Sequence, residues 1–495
     1  MINLQALLHE LLYDPKKPLL FNSGFFVYFF LVFLFCFMAV RNKPKARLMV
    51  FTGFSLYFFY KACGSFVLLV LVSAVTDFII SNAIYRQQNK RKKKALLVLS
   101  IVLNLGLLFY FKYTNFFITL VNDFGIGHVN PLNLALPIGI SFYTFENLSY
   151  TIDVYKGIFK PVTRFIDYLF FLSFFPKLVM GPIVRAADFI PQIYKHYDLN
   201  NERLSQGFYL IFTGLFKKVV ISDFLQTNYV YRVFEDPESL SRLTGVECLL
   251  GVYCYAMVIY CDFSGYSDMA IGIARWFGFD IPANFDSPYQ SSSITEFWRR
   301  WHISLSSWLR DYLYIPLGGN RKGKLRTYIN LFITMLLGGF WHGASFNFII
   351  WGGMHGGALA VEKMISKPKN KEGLERKPRR WRKIAGVFLT FHFVCFCWIF
   401  FKAQTLADAV LILKQIGTNL HPELIGALVA GYTGVVLMLL VAFLLHFTPA
   451  RWGQAISRRL EPMPAWGYFV LFAVFMWIFI QTKTSEQVLP IYLQF

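Results

Sequence analysis

The feature that most constrains this chain is a series of long apolar runs along almost its whole length. A bilayer core of about 30 Å needs about 20 apolar residues per helix, so the shorter or Gly- and Pro-broken runs are expected to be re-entrant. The runs cover residues 19–40, 48–60, 64–84, 95–111, 132–152, 165–184, 207–225, 245–263, 329–341, 345–364, 384–401, 425–446 and 466–480. We therefore predict an all-α, polytopic membrane protein with about 11 to 13 transmembrane or re-entrant helices.

The charge of the chain indicates membrane topology rather than a nucleic-acid partner. The net charge is +21, but 56% of the residues are hydrophobic, and the basic residues gather in short loops between apolar runs. Such loops are expected to be cytoplasmic, which places the C-terminus on the outer side. The predicted parts are N-terminal transmembrane helices (1–128), a central core (129–365), a basic cytoplasmic loop (366–383), and C-terminal transmembrane helices with an aromatic tail (384–495).

The segment 294–313 differs from the other apolar runs. Its apolar residues, Trp301 among them, recur at helical spacing, and Arg299, Arg300 and Arg310 occupy the remaining face. This pattern predicts one amphipathic helix at the cytoplasmic interface.

Two histidines stand in unusual settings. His342 follows the run 329–341, which rises only about 20 Å as a helix, so the imidazole is expected inside the membrane. An ionisable group there usually faces a polar cavity or a partner, and imidazole can accept a hydroxyl proton. The alternative is a structural histidine that is hydrogen-bonded within the bundle. His302 is predicted on the apolar face of the amphipathic helix, where its position alone favours an interface role over catalysis.

Acidic and metal-ligating residues give weaker signals. Glu146 and Asp153 are seven residues apart in an apolar run, so they share a helical face. They could orient a histidine or gate a polar tunnel, although pairing with basic side chains is favoured. The seven cysteines show no metal-site spacing, and no phosphate-binding loop is present, so no metal site or bound cofactor is predicted.

Four stretches together resemble the membrane-bound O-acyltransferase (MBOAT) family, in its bacterial alginate O-acetyltransferase-like branch. They include LPIGISFYTFENLSYTIDVYKG, FFPKLVMGPI, DFSGYSDMAIGIARWFGFDIPANFDSPY and ITEFWRRWHISLSSWLRDYLYIPLGGNRKG, the last followed by MLLGGFWHGAS. Each motif is weak alone, but their order and spacing over residues 130–360 make the resemblance specific. It implies a ring of helices around a central tunnel through which an acyl group reaches an acceptor hydroxyl.

The resemblance also implies site residues. The catalytic histidine of the family maps onto His342, beside Trp341, and a second family histidine maps onto His302. The ending 490–495 partly resembles the aromatic tail of this branch and of small partners of teichoic-acid D-alanyl transfer systems, although Pro490 and Leu493 replace aromatic residues. Tyr492 is therefore a possible acyl relay, and an aromatic tail anchored at the membrane interface is the alternative.

These observations predict transmembrane transfer of an acetyl group from a cytoplasmic thioester donor, acetyl-CoA as substrate, toward the hydroxyl of an extracytoplasmic polysaccharide. His342 acts as general base, and candidates for lining the tunnel or binding the donor are Arg299, Arg300, Trp301, Arg310, Trp341 and Glu146. The enzyme is expected to lie in the bilayer of the bacterial inner membrane, with an extracytoplasmic acetyltransferase as partner. The alternatives are D-alanyl transfer to teichoic acid from a carrier-protein thioester and a non-enzymatic exporter or channel.

Overall fold

The computed structural model describes residues 10–15, 17–21, 23–365, 380–482 and 488–493. All regular secondary structure in these ranges is helical, without a β-strand. The predicted all-α fold is therefore confirmed. The chain forms two compact units, Met1–Ile211 with Tyr266–Pro282, and Phe212–Gly265 with Ala283–Phe495. The predicted boundaries near residues 128, 365 and 383 stay a prediction.

The first unit is built from apolar helices joined by short turns. Its α-helices are Gly24–Val40, Pro44–Cys63, Val67–Arg86, Lys90–Lys112, Thr114–Asp123, Ile140–Lys156, Phe165–Ser173, Phe175–Leu178, Ala186–Phe189 and the greater part of Asn201–Leu215, with 3-10 turns at Gly64–Phe66 and Ile190–Tyr194. Gly139 precedes one helix with a φ of +74°, and a side chain there would overlap the carbonyl of Leu178. Only glycine combines this backbone conformation with such close packing.

The second unit contains the remaining helices. Its α-helices are Tyr231–Phe234, Pro237–Arg242, most of Gly245–Trp276, Ile294–Arg300, Ile303–Leu309, Lys324–His342, Phe346–Ile365, Arg380–Lys402, Leu406–Thr418, Ile425–Gly431, Thr433–Phe447, Ala450–Leu460 and Ala465–Thr482. Wider π-turns span Phe216–Asp223, Gln226–Val230 and Arg310–Tyr314, and 3-10 turns span Pro288–Gln290, Pro422–Leu424 and Ile491–Leu493.

Several described helices are long and apolar enough to cross a bilayer. Four segments meet both conditions: Pro44–Arg86, Lys90–Lys112, Gly245–Trp276 and Arg380–Lys402. The pair Pro422–Gly431 and Thr433–Phe447, bent by 95°, adds a fifth if the two helices form one broken span. The multi-pass membrane character is thereby supported. Two further apolar helices among the described residues, Gly24–Val40 and Trp466–Trp477, are shorter. The number of 11 to 13 transmembrane or re-entrant helices stays a prediction, as do the ring and its tunnel.

The structure corrects the prediction of one helix over residues 294–313. The segment consists of three pieces, and the first break falls at His302, whose φ is +44°. The physical reason is competition for backbone hydrogen bonds. The N–H of Ile303 donates to the carbonyl of Asn284 at 2.9 Å, and the N–H of Ser304 donates to the Asn284 side chain at 3.2 Å. These bonds replace intrahelical ones across the break.

The predicted basic loop 366–383 is only partly testable. Residues 366–379 lie outside the described residues, and residues 380–383 already belong to the helix Arg380–Lys402. The boundary predicted at residue 383 therefore stays a prediction.

Candidate active site

His342 is the last residue of the helix Lys324–His342, which packs against the helix Phe346–Ile365 at backbone distance. A methyl group on Gly339 would lie 2.8 Å from the Cα of Gly352, so a side chain at this position would force the helices apart. A methyl group on Gly343 would overlap the ring of Phe348. Gly339 and Gly343, both in the motif MLLGGFWHGAS, therefore fix the position of the helix end that carries His342.

The imidazole of His342 is buried among aromatic rings. His342 is only 5% exposed. Ring centroids lie at 4.8 Å for Trp341, 5.2 Å for Trp351, 5.2 Å for Phe401 and 5.7 Å for Tyr492. The imidazole therefore lies at the C-terminal end of its helix, in contact with four aromatic rings.

His302 is fully buried, and its ring is oriented by Asn284. The Asn284 Oδ1 accepts hydrogen bonds from the backbone N–H of Ser304 at 3.2 Å and from its hydroxyl at 2.9 Å. The same oxygen lies 3.1 Å from Nδ1 of His302. A backbone N–H can only donate, so the Asn284 atom is an acceptor and Nδ1 of His302 must carry the proton. The lone pair of the neutral ring is then on Nε2.

Burial keeps the His302 ring neutral. His302 lies outside the helices that are long enough to cross a membrane, and burial lowers its pKa to about 3. The ring therefore remains uncharged at neutral pH and can accept a proton or a hydrogen bond through Nε2.

The C-terminal tail reaches both histidines. The ring centroid of Tyr492 lies 5.7 Å from that of His342 and 6.2 Å from that of His302. It also lies 4.7 Å from Phe263 and 6.3 Å from Trp341. We call His302, His342, Trp341 and Tyr492 the histidine cluster. The structure thus brings together four residues that the sequence had singled out from three separate regions.

The predicted donor-binding residues do not form one positive surface. Arg300 pairs with Glu296 at 3.0 Å and with Asp286 at 3.4 Å, and Arg310 pairs with Asp311 at 2.7 Å. Arg299 is exposed.

Trp301 is buried in an aromatic core and contributes packing there. Its ring stacks on Phe297 with centroids 5.6 Å apart and also lies 5.0 Å from Trp398. Arg299 and Arg310 are both exposed, and Arg310 is paired with Asp311.

Glu146 lies in the first unit and is held by a buried ion pair. Its carboxylate binds the ammonium of Lys177 and accepts the backbone N–H of Val184 at 3.1 Å. This pairing matches the structural alternative that the sequence favoured. A role for Glu146 in lining a tunnel stays a prediction.

The structure adds residues that the sequence analysis missed. Asn284 orients His302, although it stands within the recognised segment 262–289. Lys218 lies in an apolar run and pairs with two buried carboxylates, Asp223 at 2.7 Å and Asp262 at 2.5 Å. A lysine inside an apolar run needs such partners, so its position was a usable signal.

Within the described ranges, no group of three His, Cys, Asp or Glu side chains is arranged to hold a metal ion. The predicted lack of a metal site or bound cofactor stays a prediction.

Comparison with known proteins places this chain in a family. The model of the membrane-bound O-acyltransferase family matches residues 160–405. The chain is 37% identical over 432 residues to the "Peptidoglycan O-acetyltransferase" of Helicobacter pylori, covering 81% of this chain and 80% of that protein. It is 40% identical over 397 residues to the "Probable alginate O-acetylase" of Pseudomonas aeruginosa, covering 79% and 73%.

A third relative carries a different name. The chain is 30% identical over 286 residues to the "Teichoic acid D-alanyltransferase" of Bacillus subtilis, covering 56% of this chain and 71% of that protein. The predicted family is confirmed: this chain belongs to the membrane-bound O-acyltransferase family and is a membrane-bound O-acyltransferase.

Proposed function

We propose that this enzyme transfers an acetyl group from a cytoplasmic thioester to the hydroxyl of an exported polysaccharide, with His342 as general base and Tyr492 as acyl relay. The observation that carries the proposal is the packing of the Tyr492 ring against both His342 and His302. The names of the relatives from Helicobacter pylori and Pseudomonas aeruginosa support an O-acetyl group as the cargo and a glycan as the acceptor.

The first step forms an aryl ester. The His342 imidazole takes the phenolic proton of Tyr492 as the phenol oxygen attacks the thioester carbonyl. The C–S bond breaks, the thiolate leaves with the proton that the imidazole returns, and the acyl group remains on the Tyr492 oxygen. His302, whose lone pair is on Nε2, accepts a hydrogen bond beside the reacting oxygen.

The second step regenerates the enzyme. The imidazole takes the proton of the acceptor hydroxyl as its oxygen attacks the ester carbonyl. The bond between the carbonyl carbon and the Tyr492 oxygen then breaks, and the imidazole returns the proton to this oxygen, which leaves as a phenol. A phenol is a better leaving group than a sugar hydroxyl, so transfer from tyrosine to a polysaccharide runs downhill. An extracytoplasmic acetyltransferase receives the acyl group and completes its delivery to the polymer.

The donor and the location complete the proposal. Acetyl-CoA is an anionic thioester, and the exposed guanidinium of Arg299 suits its phosphate groups. The segment containing Arg299 is proposed to face the cytoplasm, and the tail containing Tyr492 to enter from the outer side of the bacterial inner membrane.

A second candidate is D-alanyl transfer to teichoic acid from a carrier-protein thioester. It is favoured by one observation, the 30% identity to the Bacillus subtilis relative over 56% of this chain. Supplying purified protein with radiolabelled acetyl-CoA or with radiolabelled D-alanyl carrier protein separates the candidates, because only the true donor labels the enzyme.

Replacing His342 tests the proposed function. In cells that produce the His342→Ala variant at wild-type level, we expect polymer O-acetyl content to fall to background. The matched control is His392→Ala, which removes a histidine that hydrogen-bonds Tyr253 at 3.0 Å and is expected to leave acetylation in place. Undiminished acetylation in His342→Ala contradicts the proposal, and solute flux that survives the substitution supports an exporter instead.

A further inference from the structure

The C-terminal segment 488–493 is held by a buried group of charges in the second unit. Lys218 lies between Asp223 and Asp262, and all three side chains are less than 10% exposed. We call these three residues the tail clamp. One ammonium faces two carboxylates, so the clamp carries an excess of negative charge and needs a further hydrogen-bond donor.

The tail supplies that donor through its main chain. The backbone N–H of Ile491 donates to Oδ2 of Asp262 at 2.7 Å, while Oδ1 of the same carboxylate binds Lys218 at 2.5 Å. The ammonium of Lys218 also donates to the backbone carbonyl of Val488 at 3.4 Å. Both ends of a four-residue stretch are therefore bound by one ion pair.

The clamp and the histidine cluster share one helix. Phe263 directly follows Asp262 in the helix Gly245–Trp276. Its ring lies 4.7 Å from that of Tyr492 and 4.6 Å from that of His302. Asp262 therefore fixes the tail backbone one residue before Tyr492, and Phe263 supports the tyrosine ring.

We propose that Lys218 and Asp262 are positioning residues that dock the C-terminal segment through its main chain and so hold Tyr492 against His342 and His302. Every residue has a carbonyl and every residue except proline has an N–H, so this mode of docking is insensitive to the side chains at 488–490 but requires an N–H at 491. The consequence for acyl transfer rests on the proposed function, whereas the docking itself does not.

Protection of the tail from carboxypeptidase measures docking without reference to activity. The full-length protein in detergent is digested, and intact mass spectrometry follows the loss of residues 493–495. Protection is the digestion rate of a variant in denaturing detergent divided by its rate in the folded state. This ratio corrects for any effect of the substitution on how well the peptidase cleaves the tail sequence. Loss of a hydrogen bond to a charged group should shift the equilibrium between docked and undocked tail by roughly 10- to 100-fold. We expect protection to decrease by the same factor.

The decisive variant is Ile491→Pro, which removes the N–H at the first position of a 3-10 turn, where proline is tolerated. We expect it to lose protection at least about tenfold, whereas Ile491→Val keeps it. Because the change lies in the tail, it leaves the fold of the helices intact. Protection of Ile491→Pro equal to that of wild type overturns the proposal.

Variants of the clamp provide a second test. Asp262→Leu is expected to lose protection, and Asp262→Asn to retain most of it, because the amide oxygen still accepts the N–H of Ile491. Lys218→Met is compared with Lys217→Met, which changes the neighbouring lysine whose ammonium lies over the ring of Tyr260. Equal protection in the two lysine variants contradicts a specific role for Lys218.

Tyr492→Phe separates this proposal from the proposed function. We expect this variant to keep full protection and lose acyl transfer. If Tyr492→Phe keeps both full protection and full acyl transfer, the relay role of Tyr492 is wrong and docking by the tail clamp is still supported. If the tail of Tyr492→Phe is unprotected, docking through the main chain is contradicted.

Discussion

Asn284 offers a quantitative test of how the second histidine is held. Its Oδ1 accepts three hydrogen bonds, at 3.1 Å from Nδ1 of His302 and at 3.2 Å and 2.9 Å from the amide and hydroxyl of Ser304. Asn284→Leu leaves two buried N–H donors, one on His302 and one on Ser304, without this acceptor. Each stranded donor costs about 1–3 kcal/mol, so the variant should be less stable by about 2–6 kcal/mol.

The activity should fall as well as the stability. The hydrogen bond to Nδ1 favours the tautomer with its lone pair on Nε2 by about 0.5–1.5 kcal/mol, which is roughly two- to tenfold in population. We expect the acetyl-transfer rate per folded molecule to fall by a similar factor in Asn284→Leu. Thermal unfolding in detergent and transfer of radiolabelled acetyl groups measure the two effects.

Ser304→Ala is the matched control for Asn284→Leu. It removes the hydroxyl bond but keeps the backbone N–H paired with Asn284, so the loss of stability should stay near 0.5–1.5 kcal/mol and the activity should persist. Equal stability of wild type and Asn284→Leu, within about 1 kcal/mol, would refute the assignment of Nδ1 as the donor and with it the proposed tautomer.

Three further predictions concern the packing, the titration and the donor contact of the site. Gly339→Ala should destabilise the protein by about 1–3 kcal/mol and reduce acetyl transfer, because the added methyl group meets the backbone of Gly352. The control Gly338→Ala should be tolerated, because its methyl group meets only a flexible Leu309 methyl at 3.2 Å. Equal melting temperatures of the two variants contradict this prediction. The pKa of His302 is lowered from 6.5 to about 3, so between these values only the unfolded chain binds a proton at this residue. The free energy of unfolding should therefore decrease as the pH is lowered from 6.5 to 3. We expect His302→Gln to show a flatter pH dependence of unfolding in this window, and an unchanged slope contradicts it. Arg299→Gln should raise the KM for acetyl-CoA about two- to fivefold and leave kcat little changed. Arg310→Gln should raise the KM less, because Arg310 already pairs with Asp311. A larger increase in KM for Arg310→Gln than for Arg299→Gln contradicts the prediction.

The sequence predicted the elements of the site better than their arrangement. The apolar run 329–341 indicated a helix that leads into His342, and the helix Lys324–His342 ends at this residue. The same periodicity that indicates an amphipathic helix over 294–313 does not reveal the break at His302. That break depends on hydrogen bonds to Asn284, which lies 18 residues earlier in the chain.

Charge pairing explains the other differences. The pair of Glu296 and Arg300 is four residues apart and could be read from the sequence, and it leaves Arg300 less available to a donor. The contact between Ile491 and Asp262 joins residues 229 positions apart, and no local pattern predicts it. The tail motif suggested Tyr492 as a relay, but only the fold shows what holds its backbone.

Peptide mass spectrometry of Tyr492 tests the central claim most directly. Purified protein is incubated with acetyl-CoA without acceptor, digested, and examined for an acetyl group on the phenolic oxygen of the C-terminal peptide. The account predicts an acetyl-tyrosine that accumulates in wild type, disappears when an acceptor is added, and fails to form in His342→Ala. Full acetyl transfer by Tyr492→Phe, together with an unmodified Tyr492 in wild type, would contradict it.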